Sequence, residues 1–343
     1  MSIGLGYVVP NFAYSTPVKD LFPTVVAQAR EAESAGFDTV GVIDHFSQLP
    51  IWGPPEAPIL ESYTTLAALA SATSSVGLTA IVTGNTYRNP GLLAKMITSL
   101  DVISNGRAQL GIGAGWYEPE HRQLGFDFGT VGHRFERLAE ALHIIEALLR
   151  TGRSSFTGTW YRTDNAINEP RLRDDLPIMV GGGGEKKTFA LAARHAAHVD
   201  ILAVPAELPS KLAALDQRCA EYGRARDTLT TSVFGTVFVD ENGDAARRQH
   251  RQYMQASGLD ALADPVKAAA VSAHYVGTPD DVADQVQTRV LAAGVDGFIA
   301  AAPTNGHLPD TVARIGHALR PLIRAARSFQ RKNNAKYEVQ SAT

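Results

Sequence analysis

The chain has 343 residues, of which 45% are hydrophobic and 20% charged, and its formal net charge is −3. This composition is typical of a globular protein with a large core, and the lack of a concentrated Lys/Arg block argues against nucleic acid as a partner. No apolar run approaches the ~20 residues needed to cross a bilayer, and the N-terminus shows no signal peptide pattern. The single cysteine, Cys219, cannot form an intramolecular disulfide. We therefore expect a soluble, cytoplasmic protein in which Cys219 fills the core.

Short apolar strands alternate with amphipathic helices along nearly the whole chain, which predicts a parallel α/β fold. In chain order, the predicted strands are Ile3–Val9, Thr39–Ile43, Leu78–Thr83, Ala108–Ile112, Pro177–Val180, Val199–Val204, Ser232–Val239 and Asp296–Ala301. Apolar stripes at helical spacing separate most of them; the clearest begin at Phe22, Tyr63, Leu92, Phe135 and Val312. Eight strand–helix units favour a closed (β/α)8 TIM barrel over an open sheet.

One type of joint occurs twice, as Ala35-Gly36-Phe37-Asp38 and as Ala293-Gly294-Val295-Asp296. Glycine adopts the left-handed conformation at a helix end without a steric penalty. Both joints are therefore interpreted as a helix end followed directly by a strand. The repetition supports a fold made of similar units.

Three stretches depart from the simple repeat, near residues 114–130, 151–176 and 242–277. We interpret them as insertions in a single barrel domain over residues 1–326, because barrel insertions usually extend active-site loops or oligomer contacts. Residues 327–343 are polar and are predicted to form a disordered tail.

Reactive side chains of a barrel lie at the carboxyl ends of its strands. That rule selects Asp44 and His45, Thr83 and Asn85, and the runs Gly113–Trp116, Gly181–Gly184 and Pro303–His307. His45 is a candidate proton donor or acceptor. The alternative is that Asp44 and His45 form a satisfied polar pair that only caps the barrel.

The run Gly181–Gly184 follows a predicted strand and precedes a helix predicted over Thr188–Ala197. Glycines allow an anion close to the backbone, and the free N–H groups at a helix start bind phosphate. The run is not a Walker A loop, because Lys186 stands where the last glycine of that motif belongs. The run therefore predicts a phosphate site, with a flexible turn as the alternative.

The run from Gly111 to Trp116 resembles a dinucleotide fingerprint but lacks its third glycine, which is replaced by Trp116. Its small residues Gly113, Ala114 and Gly115 either let a flat ring lie against the backbone or allow close packing of a strand. His195 and His198 are three residues apart on a predicted helix, but no third ligand is spaced to complete a metal site, so none is predicted.

At these residues the chain resembles the luciferase-like monooxygenase superfamily, and within it the branch of coenzyme F420-dependent oxidoreductases. The resemblance rests on Val82-Thr83-Gly84-Asn85-Thr86-Tyr87-Arg88-Asn89-Pro90, Ala94-Lys95, Leu100–Arg107, Leu110–Trp116, Glu120, Pro177–Gly184 and Gly277-Thr278-Pro279. It covers most of the barrel, and the block from 82 to 116 is specific to the superfamily. The resemblance implies a TIM barrel, commonly a dimer, with the cofactor at the C-terminal mouth.

The resemblance also implies roles for individual residues. Asp44 and His45 would lie beside the cofactor ring, and a non-prolyl cis peptide near Ala80-Ile81 would support it. Gly182, Gly183 and Gly184, with Lys187 and Thr188, would hold the phosphate. The implied pocket wall consists of Phe46, Tyr87 and Trp116.

Two cofactors fit this resemblance, and the Asp44-His45-Phe46 run favours the deazaflavin F420, a two-electron hydride carrier, over flavin mononucleotide (FMN), which supports oxygen activation. Lys186 and Lys187 could assist the anionic tail of F420. The sugar-phosphate dehydrogenases of this branch carry an acidic proton donor where this chain has Trp116. A small hydrophobic substrate is therefore expected rather than a sugar phosphate.

The first functional hypothesis is hydride transfer between F420 and a small organic substrate, with His45 supplying or removing the balancing proton. One alternative is a two-component FMN monooxygenase, which would need a separate flavin reductase. The other is a cofactor-binding barrel without turnover, because a fold and a pocket do not establish catalysis.

Overall fold

A computed structural model describes residues 3–260 and 265–341; side chains are described up to residue 326, except at 265, 266 and 269. The strands are β1 (Leu5–Val9), β2 (Thr39–Val42), β3 (Gly77–Ala80), β4 (Thr83–Gly84), β5 (Leu110–Gly113), β6 (Arg153–Thr157), β7 (Arg162–Ile167), β8 (Ile178–Gly181), β9 (His198–Asp200), β10 (Thr230–Val239), β11 (His274–Gly277) and β12 (Gly297–Ala301). The helices are α1 (Leu21–Ser34), α2 (Ser62–Ala72), α3 (Pro90–Ile103), α4 (Glu118–Leu124), α5 (Val131–Thr151), α6 (Thr188–His195), α7 (Leu208–Glu221), α8 (Gly243–Ala256), α9 (Pro265–Ser272), α10 (Pro279–Arg289) and α11 (Thr311–Ser341).

The main sheet is a parallel barrel. Its strands pair in the order β3-β2-β1-β12-β10-β9-β8-β5-β4, and each of these pairs is parallel. The barrel closes where the Leu78 N–H of β3 donates to the Arg107 carbonyl and the Gln109 N–H donates to the Leu78 carbonyl. The TIM-barrel prediction is therefore confirmed.

All eight predicted strands are present, with shifted ends. The third is divided into β3 and β4, and the peptide bond between Ile81 and Val82, which separates them, is cis. The resemblance placed this bond near Ala80-Ile81, one residue earlier. The sixth strand ends at Asp200 rather than at the predicted Val204.

The three departures from the repeat have defined structures. Residues 114–130 contain α4, and residues 151–176 contain the antiparallel hairpin of β6 and β7. Residues 242–277 contain α8, α9 and β11, and β11 pairs in parallel with the last four residues of β10. This third stretch therefore extends the sheet instead of interrupting it.

The barrel divides the apolar core into two layers. A small interior cluster comprises Ile3, Val8, Ile43, Met179 and Ile299, all at most 3% exposed. A much larger cluster fills the space between the strands and the surrounding helices and includes the buried Cys219. The interior cluster forms the floor beneath the barrel mouth.

Both Ala-Gly-x-Asp joints form as predicted and share a second function. Gly36 and Gly294 have positive φ angles of 82° and 99°. The Asp38 carboxylate accepts hydrogen bonds from the backbone N–H groups of Gly4 and Leu5, which begin β1. Asp296 accepts in the same way from the Thr231 backbone at the start of β10. Each joint thus fixes the start of the neighbouring strand.

Helix α11 includes residues of the predicted disordered tail, 327–343. Their side chains, together with all of residues 342 and 343, lie outside the described part of the chain, so disorder of the tail stays a prediction. Within the described residues, no helix has an apolar stretch of the length that a membrane crossing requires.

Close backbone packing inside the barrel predicts that replacing a glycine by alanine has different effects on the free energy of unfolding at two positions. A Cβ atom at Gly111 would lie 2.2 Å from the Ala80 carbonyl oxygen, whereas at Gly132, on α5, the nearest atom is 3.5 Å away. We expect Gly111→Ala to lower the free energy of unfolding by at least about 1–3 kcal/mol, because backbone must shift. We expect Gly132→Ala to leave it unchanged or raise it by up to about 1 kcal/mol. Urea unfolding of both variants measures this, and a Gly111→Ala protein as stable as wild type would contradict it.

Candidate functional site

A buried carboxylate on α4, that of Glu120, organises one side of the barrel mouth. Its Oε1 accepts the backbone N–H groups of Phe46 and Ser47 at 2.7 and 2.9 Å. Its Oε2 accepts the Tyr87 hydroxyl at 2.7 Å and lies 2.9 Å from His45 Nδ1. Glu120 therefore joins the loop after β2, the segment after β4 and helix α4 at one point.

The hydrogen bonds determine the charge of Glu120. Burial would raise the pKa of this carboxyl group, but the hydrogen bonds from His45, Tyr87 and the Ser47 backbone lower it to about 2. An ionised carboxylate only accepts hydrogen bonds, so His45 Nδ1 must carry the hydrogen that it shares with Glu120. This leaves Nε2 as the atom of His45 available to another molecule.

His45 lies at the carboxyl end of β2 with its side chain 11% exposed. Its ring makes edge-to-face contacts with Trp116 and Tyr117 at centroid distances of 5.9 and 5.8 Å. Nε2 has no hydrogen-bond partner among the described residues, so it is the ring atom that a bound molecule could contact. Of the predicted wall residues, Trp116 is open, at 63% exposed.

Phe46 and Tyr87, the other predicted wall residues, belong to an aromatic cluster behind His45. Their ring centroids are 5.0 Å apart, and both rings pack on Phe126. Tyr87 also stacks on His121, whose Nε2 contacts the Thr86 hydroxyl at 2.7 Å. The cluster keeps water from the Glu120 hydrogen bonds, and it leaves Phe46 only half-buried.

Asp44, which the sequence suggests as a cofactor contact, is committed to other protein groups. Arg88 donates to both of its oxygens at 2.8 and 2.9 Å, and the Ser62 hydroxyl and the Gly84 N–H add one hydrogen bond each. Arg88 also pairs with Glu61. Asp44 thus connects the end of β2 to β4 and α2 by hydrogen bonds. A bound molecule could reach its backbone more easily than its carboxylate.

Three further predicted cofactor contacts are directed away from the mouth. Ala80 packs in the outer core cluster. The Thr83 hydroxyl is fully buried, 2.7 Å from the Tyr63 hydroxyl. Asn85 is buried beside Tyr161 of the β6–β7 hairpin, and neither of its amide atoms has a partner of good geometry. Contact between these side chains and a molecule in the mouth is therefore not favoured.

Ile81 and Gly113 face the barrel interior, and Gly115 lies in the segment after β5. Ile81 packs on the interior cluster beside Val82. The Val82 side chain lies against two glycines, since a Cβ atom would be 3.0 Å from it at Gly113 and 2.8 Å at Gly181. Gly115 has a φ angle of 81° and faces Thr86. Ala114 instead packs against the outer core cluster.

The four-glycine run leads from β8 into the open start of α6. Gly182 has a φ angle of 141°, and a Cβ atom at Gly183 would lie 2.1 Å from the Leu202 carbonyl oxygen. No side chain caps α6 at its N-cap residue, Lys187. The Lys187 ammonium lies over the Phe135 ring at 5.5 Å. At this helix start the Phe189 N–H donates to the Gly184 carbonyl at 3.1 Å, whereas the Thr188 N–H has no partner among the described residues and remains available to an anion.

Sequence reasoning did not assign roles to four residues that shape this region. Arg88 binds Asp44, and Glu120 binds His45. Arg88 and Glu120 both lie in the motifs that carry the resemblance, and those motifs are the sequence signal that could have identified them. Asp200 and Ser232 face the barrel interior near the mouth. His195 and His198, considered above as a metal pair, have separate partners, Glu146 for His195 and Ser232 for His198.

The Glu120 cluster predicts a stability difference that depends on pH. The folded-state pKa of about 2 lies below the ordinary Glu value, so the stabilisation is present at neutral pH and is lost as pH falls from about 4.5 towards about 2. We expect Glu120→Gln to lower the free energy of unfolding at pH 7 by about 1–3 kcal/mol and to lose this acid dependence. Glu118→Gln is the matched control, because Glu118 is exposed on the same helix. Equal stability of the two variants in urea would refute the role of Glu120.

Comparisons with known proteins identify relatives in sequence and in fold. Pyrimidine monooxygenase RutA of Stutzerimonas stutzeri (strain A1501) is 26% identical over 295 residues, which cover 78% of this chain and 80% of that protein. An F420-dependent secondary alcohol dehydrogenase in complex with an F420-acetone adduct has the same fold, with a TM-score of 0.76 and 20% identity over 95% of this chain and 99% of the other. The oxygenating constituent of 3,6-diketocamphane monooxygenase from Pseudomonas putida, in complex with FMN, superposes with a TM-score of 0.70 at 20% identity, over 94% and 99% of the two chains.

The family model for luciferase-like monooxygenases matches residues 4–297. That match spans the barrel from β1 to the start of β12 and includes His45, Glu120 and the four-glycine run. The match supports an enzyme of the luciferase-like oxidoreductase and monooxygenase class. The chain belongs to the luciferase-like monooxygenase family.

Proposed function

We propose that this protein is an F420-dependent oxidoreductase that transfers a hydride between the deazaflavin and a small hydrophobic substrate. The observation that carries the proposal is the His45–Glu120 pair, which presents one unpartnered imidazole nitrogen to the barrel mouth. A hydride-transfer reaction needs a group that holds or releases a proton beside the reacting atoms, and a positioned histidine is the commonest such group.

The described residues fit a phosphorylated ring cofactor. The open start of α6 and the run Gly182–Gly184 offer backbone N–H groups to a phosphate. At Gly113 and Gly181 the Val82 side chain occupies the space that a Cβ atom would take, so the two strands and Val82 form one closely packed apolar surface on which a ring would lie. These two features lie on neighbouring strands, β5 and β8.

When bound, the deazaflavin would supply the two-electron hydride chemistry. His45 holds the balancing proton at Nε2, and the Glu120 carboxylate stabilises the imidazolium form of the ring at Nδ1. Tyr87 and the Phe46 and Ser47 backbone fix Glu120, so His45 stays oriented while its charge changes. Trp116 covers the other side of His45 and limits the access of water.

The lining of the mouth favours an apolar substrate. Five partly buried hydrophobic side chains pack on the interior cluster: Trp52, Ile59, Ile81, Val82 and Phe234. The Trp52 and Phe234 rings lie 6.4 Å apart, on the side formed by β10. Burial of apolar substrate groups against these side chains would stabilise binding by about 25 cal/mol per Å². Small secondary alcohols and their ketones suit a mouth of this character.

A second candidate is an FMN-dependent monooxygenase that receives reduced flavin from a separate reductase. The similarity to the pyrimidine monooxygenase favours it, since that relative is matched over most of its length. FMN also carries a phosphate and a flat ring, so the same residues would hold it. The two candidates differ in whether oxygen is consumed.

The hydride-transfer proposal predicts a specific defect in His45→Gln. The glutamine amide can still donate to Glu120, but it cannot carry a proton at a position equivalent to Nε2. We expect turnover to fall by about 10²–10⁴-fold, while the dissociation constant of F420 changes by less than about threefold. Stopped-flow absorbance with F420 and a panel of small alcohols and ketones measures both quantities.

His143→Gln is the control for this experiment, because His143 is exposed on α5 and contacts only Phe156 of the hairpin in the ring contacts described. It should behave as wild type. If His45→Gln weakened F420 binding and turnover to the same extent, or left turnover unchanged, the proton role of His45 would be excluded. Oxygen consumption with reduced FMN in the wild type would instead favour the second candidate.

A further inference from the structure

A second titratable side chain, Asp200, faces the barrel interior near the mouth, opposite the His45 side. It is the last residue of β9 and pairs in register with Gly181 of β8 and Ser232 of β10. Residues paired in register share one face of a sheet, and Val199, the intervening residue, packs in the outer core cluster. Asp200 therefore points inward, next to the four-glycine run.

Only one oxygen of Asp200 is held by the described part of the protein. The Ser232 hydroxyl lies 2.7 Å from Oδ1, whereas Oδ2 has no partner among the described residues. Asp200 is 8% exposed, so this free oxygen retains access to the mouth. No cation among the described residues forms an ion pair with it. A buried carboxyl group with neither a counter-ion nor full hydrogen bonding costs stability, so its retention indicates a function.

Ser232 connects Asp200 to a histidine in the layer below. The Ser232 hydroxyl is 2.8 Å from Nε2 of His198, which is fully buried, and His198 Nδ1 is 2.8 Å from the Thr230 hydroxyl. Ser232 has a single hydrogen to share between its two contacts. Whenever that hydrogen is donated to Asp200, His198 Nε2 must donate to Ser232. Whenever it is donated to His198, Asp200 must carry a proton on Oδ1.

Each protonation state of Asp200 thus has a matching arrangement of Ser232 and His198. The ionised carboxylate receives the Ser232 hydrogen, and His198 adopts the Nε2–H form. The neutral carboxyl group has two arrangements: with its proton on Oδ1 it donates to Ser232 and the chain reverses, and with its proton on Oδ2 it still accepts from Ser232 at Oδ1 and presents the proton to the mouth. Such a chain stabilises both states of the outermost group, as a proton-exchanging residue requires.

The environment places the charge change near neutral pH. Burial raises the pKa of Asp200 to about 6, and the hydrogen bond from Ser232 opposes that rise. The adjoining strands contribute Gly181 from β8, and Ser232 and Thr230 from β10, none of which carries a charge. His198 is the titratable neighbour on β9 itself. Across the mouth, His45 lies after β2 and Glu120 lies on α4. A bound phosphate beside Gly182 would further favour neutral Asp200.

We propose that Asp200 is a second proton-exchanging residue of this site and that Ser232 and His198 are the positioning residues that support it. The inference rests on the proposed binding of a ring cofactor in the mouth. Neutral Asp200 donates its Oδ2 hydrogen to a carbonyl oxygen or ring nitrogen of the bound molecule. If the proton moves fully, the Oδ2–H bond breaks, the acceptor gains the proton, and Ser232 donates to the carboxylate left behind. Water at the mouth then restores the proton.

The first test uses the protein without cofactor. Difference infrared spectroscopy follows the carbonyl band of a protonated carboxyl group across pH. We expect a band in the wild type that disappears as pH rises through about 6, is absent in Asp200→Asn and is retained in Asp227→Asn, a control at an exposed position. In Ser232→Ala the transition should move to higher pH, because a hydrogen bond that lowers the pKa is lost. A band unchanged by Asp200→Asn would overturn the proposal.

The second test measures F420 and FMN binding as a function of pH. In the wild type, affinity for the cofactor that binds should fall as pH rises through about 6, since the donor form is lost. Asparagine keeps a donor at all pH values, so Asp200→Asn should bind with little pH dependence in this range. A buried aspartate with a structural role alone would change the melting temperature and leave the pH profile of binding as in the wild type, which would overturn the proposal.

Thermal unfolding separates this inference from the proposed function. The raised pKa means that ionisation opposes folding increasingly as pH rises from about 4 to about 6, so Asp200→Asn should gain melting temperature over wild type at about pH 8 and lose that advantage as pH falls to about 4. If neither cofactor binds at any pH, the proposed function fails. The infrared and thermal results would then still decide whether Asp200 titrates as described, and a titration near its ordinary value of about 4 would refute it.

Discussion

The carboxylate of Glu120 is the interaction on which the mouth of this barrel depends. It is fully buried, and it accepts hydrogen bonds from two segments, the loop after β2 and Tyr87, whose residues are 33 to 75 positions away in the chain. Because these bonds hold the carboxylate ionised, they also fix which nitrogen of His45 faces the mouth. The buried charge of Glu120 thereby holds the loop after β2 in place and leaves Nε2 of His45 free to contact another molecule.

A second constraint comes from backbones that approach each other too closely for side chains. Gly111 lies against the Ala80 carbonyl, and Gly183 lies against the Leu202 carbonyl. Such contacts let the backbones approach closely, and the Val82 side chain packs against Gly113 and Gly181 in the same way. The proposed phosphate-binding end and ring surface thus depend on the same small residues. The ion pair of Asp44 and Arg88 stabilises the part of the mouth that follows β2 and β4.

The sequence predicts the barrel well, because apolar runs and glycine-ended joints are local signals. It says less about the directions of individual side chains. Ala80, Thr83 and Asn85 follow one another near a break between β3 and β4, where strand alternation cannot be extrapolated to tell which way a side chain points. Helix α8 buries only Ala246, Tyr253 and Met254, so its apolar stripe is too sparse to recognise. Asp200 seemed to lie inside a longer strand, and only the structure shows it at a strand end.

The central claim is that the mouth binds a phosphorylated flavin-type cofactor and prefers F420. Parallel anaerobic titrations of the purified protein with F420, FMN and riboflavin test it most directly, with tryptophan fluorescence from Trp52 and Trp116 as the signal. The account predicts saturable binding, tightest for F420 and weaker for riboflavin than for FMN, because riboflavin lacks the phosphate that α6 and the glycine run would hold. Preference for FMN would contradict the F420 assignment, and binding of none of the three would contradict the assignment of the site itself.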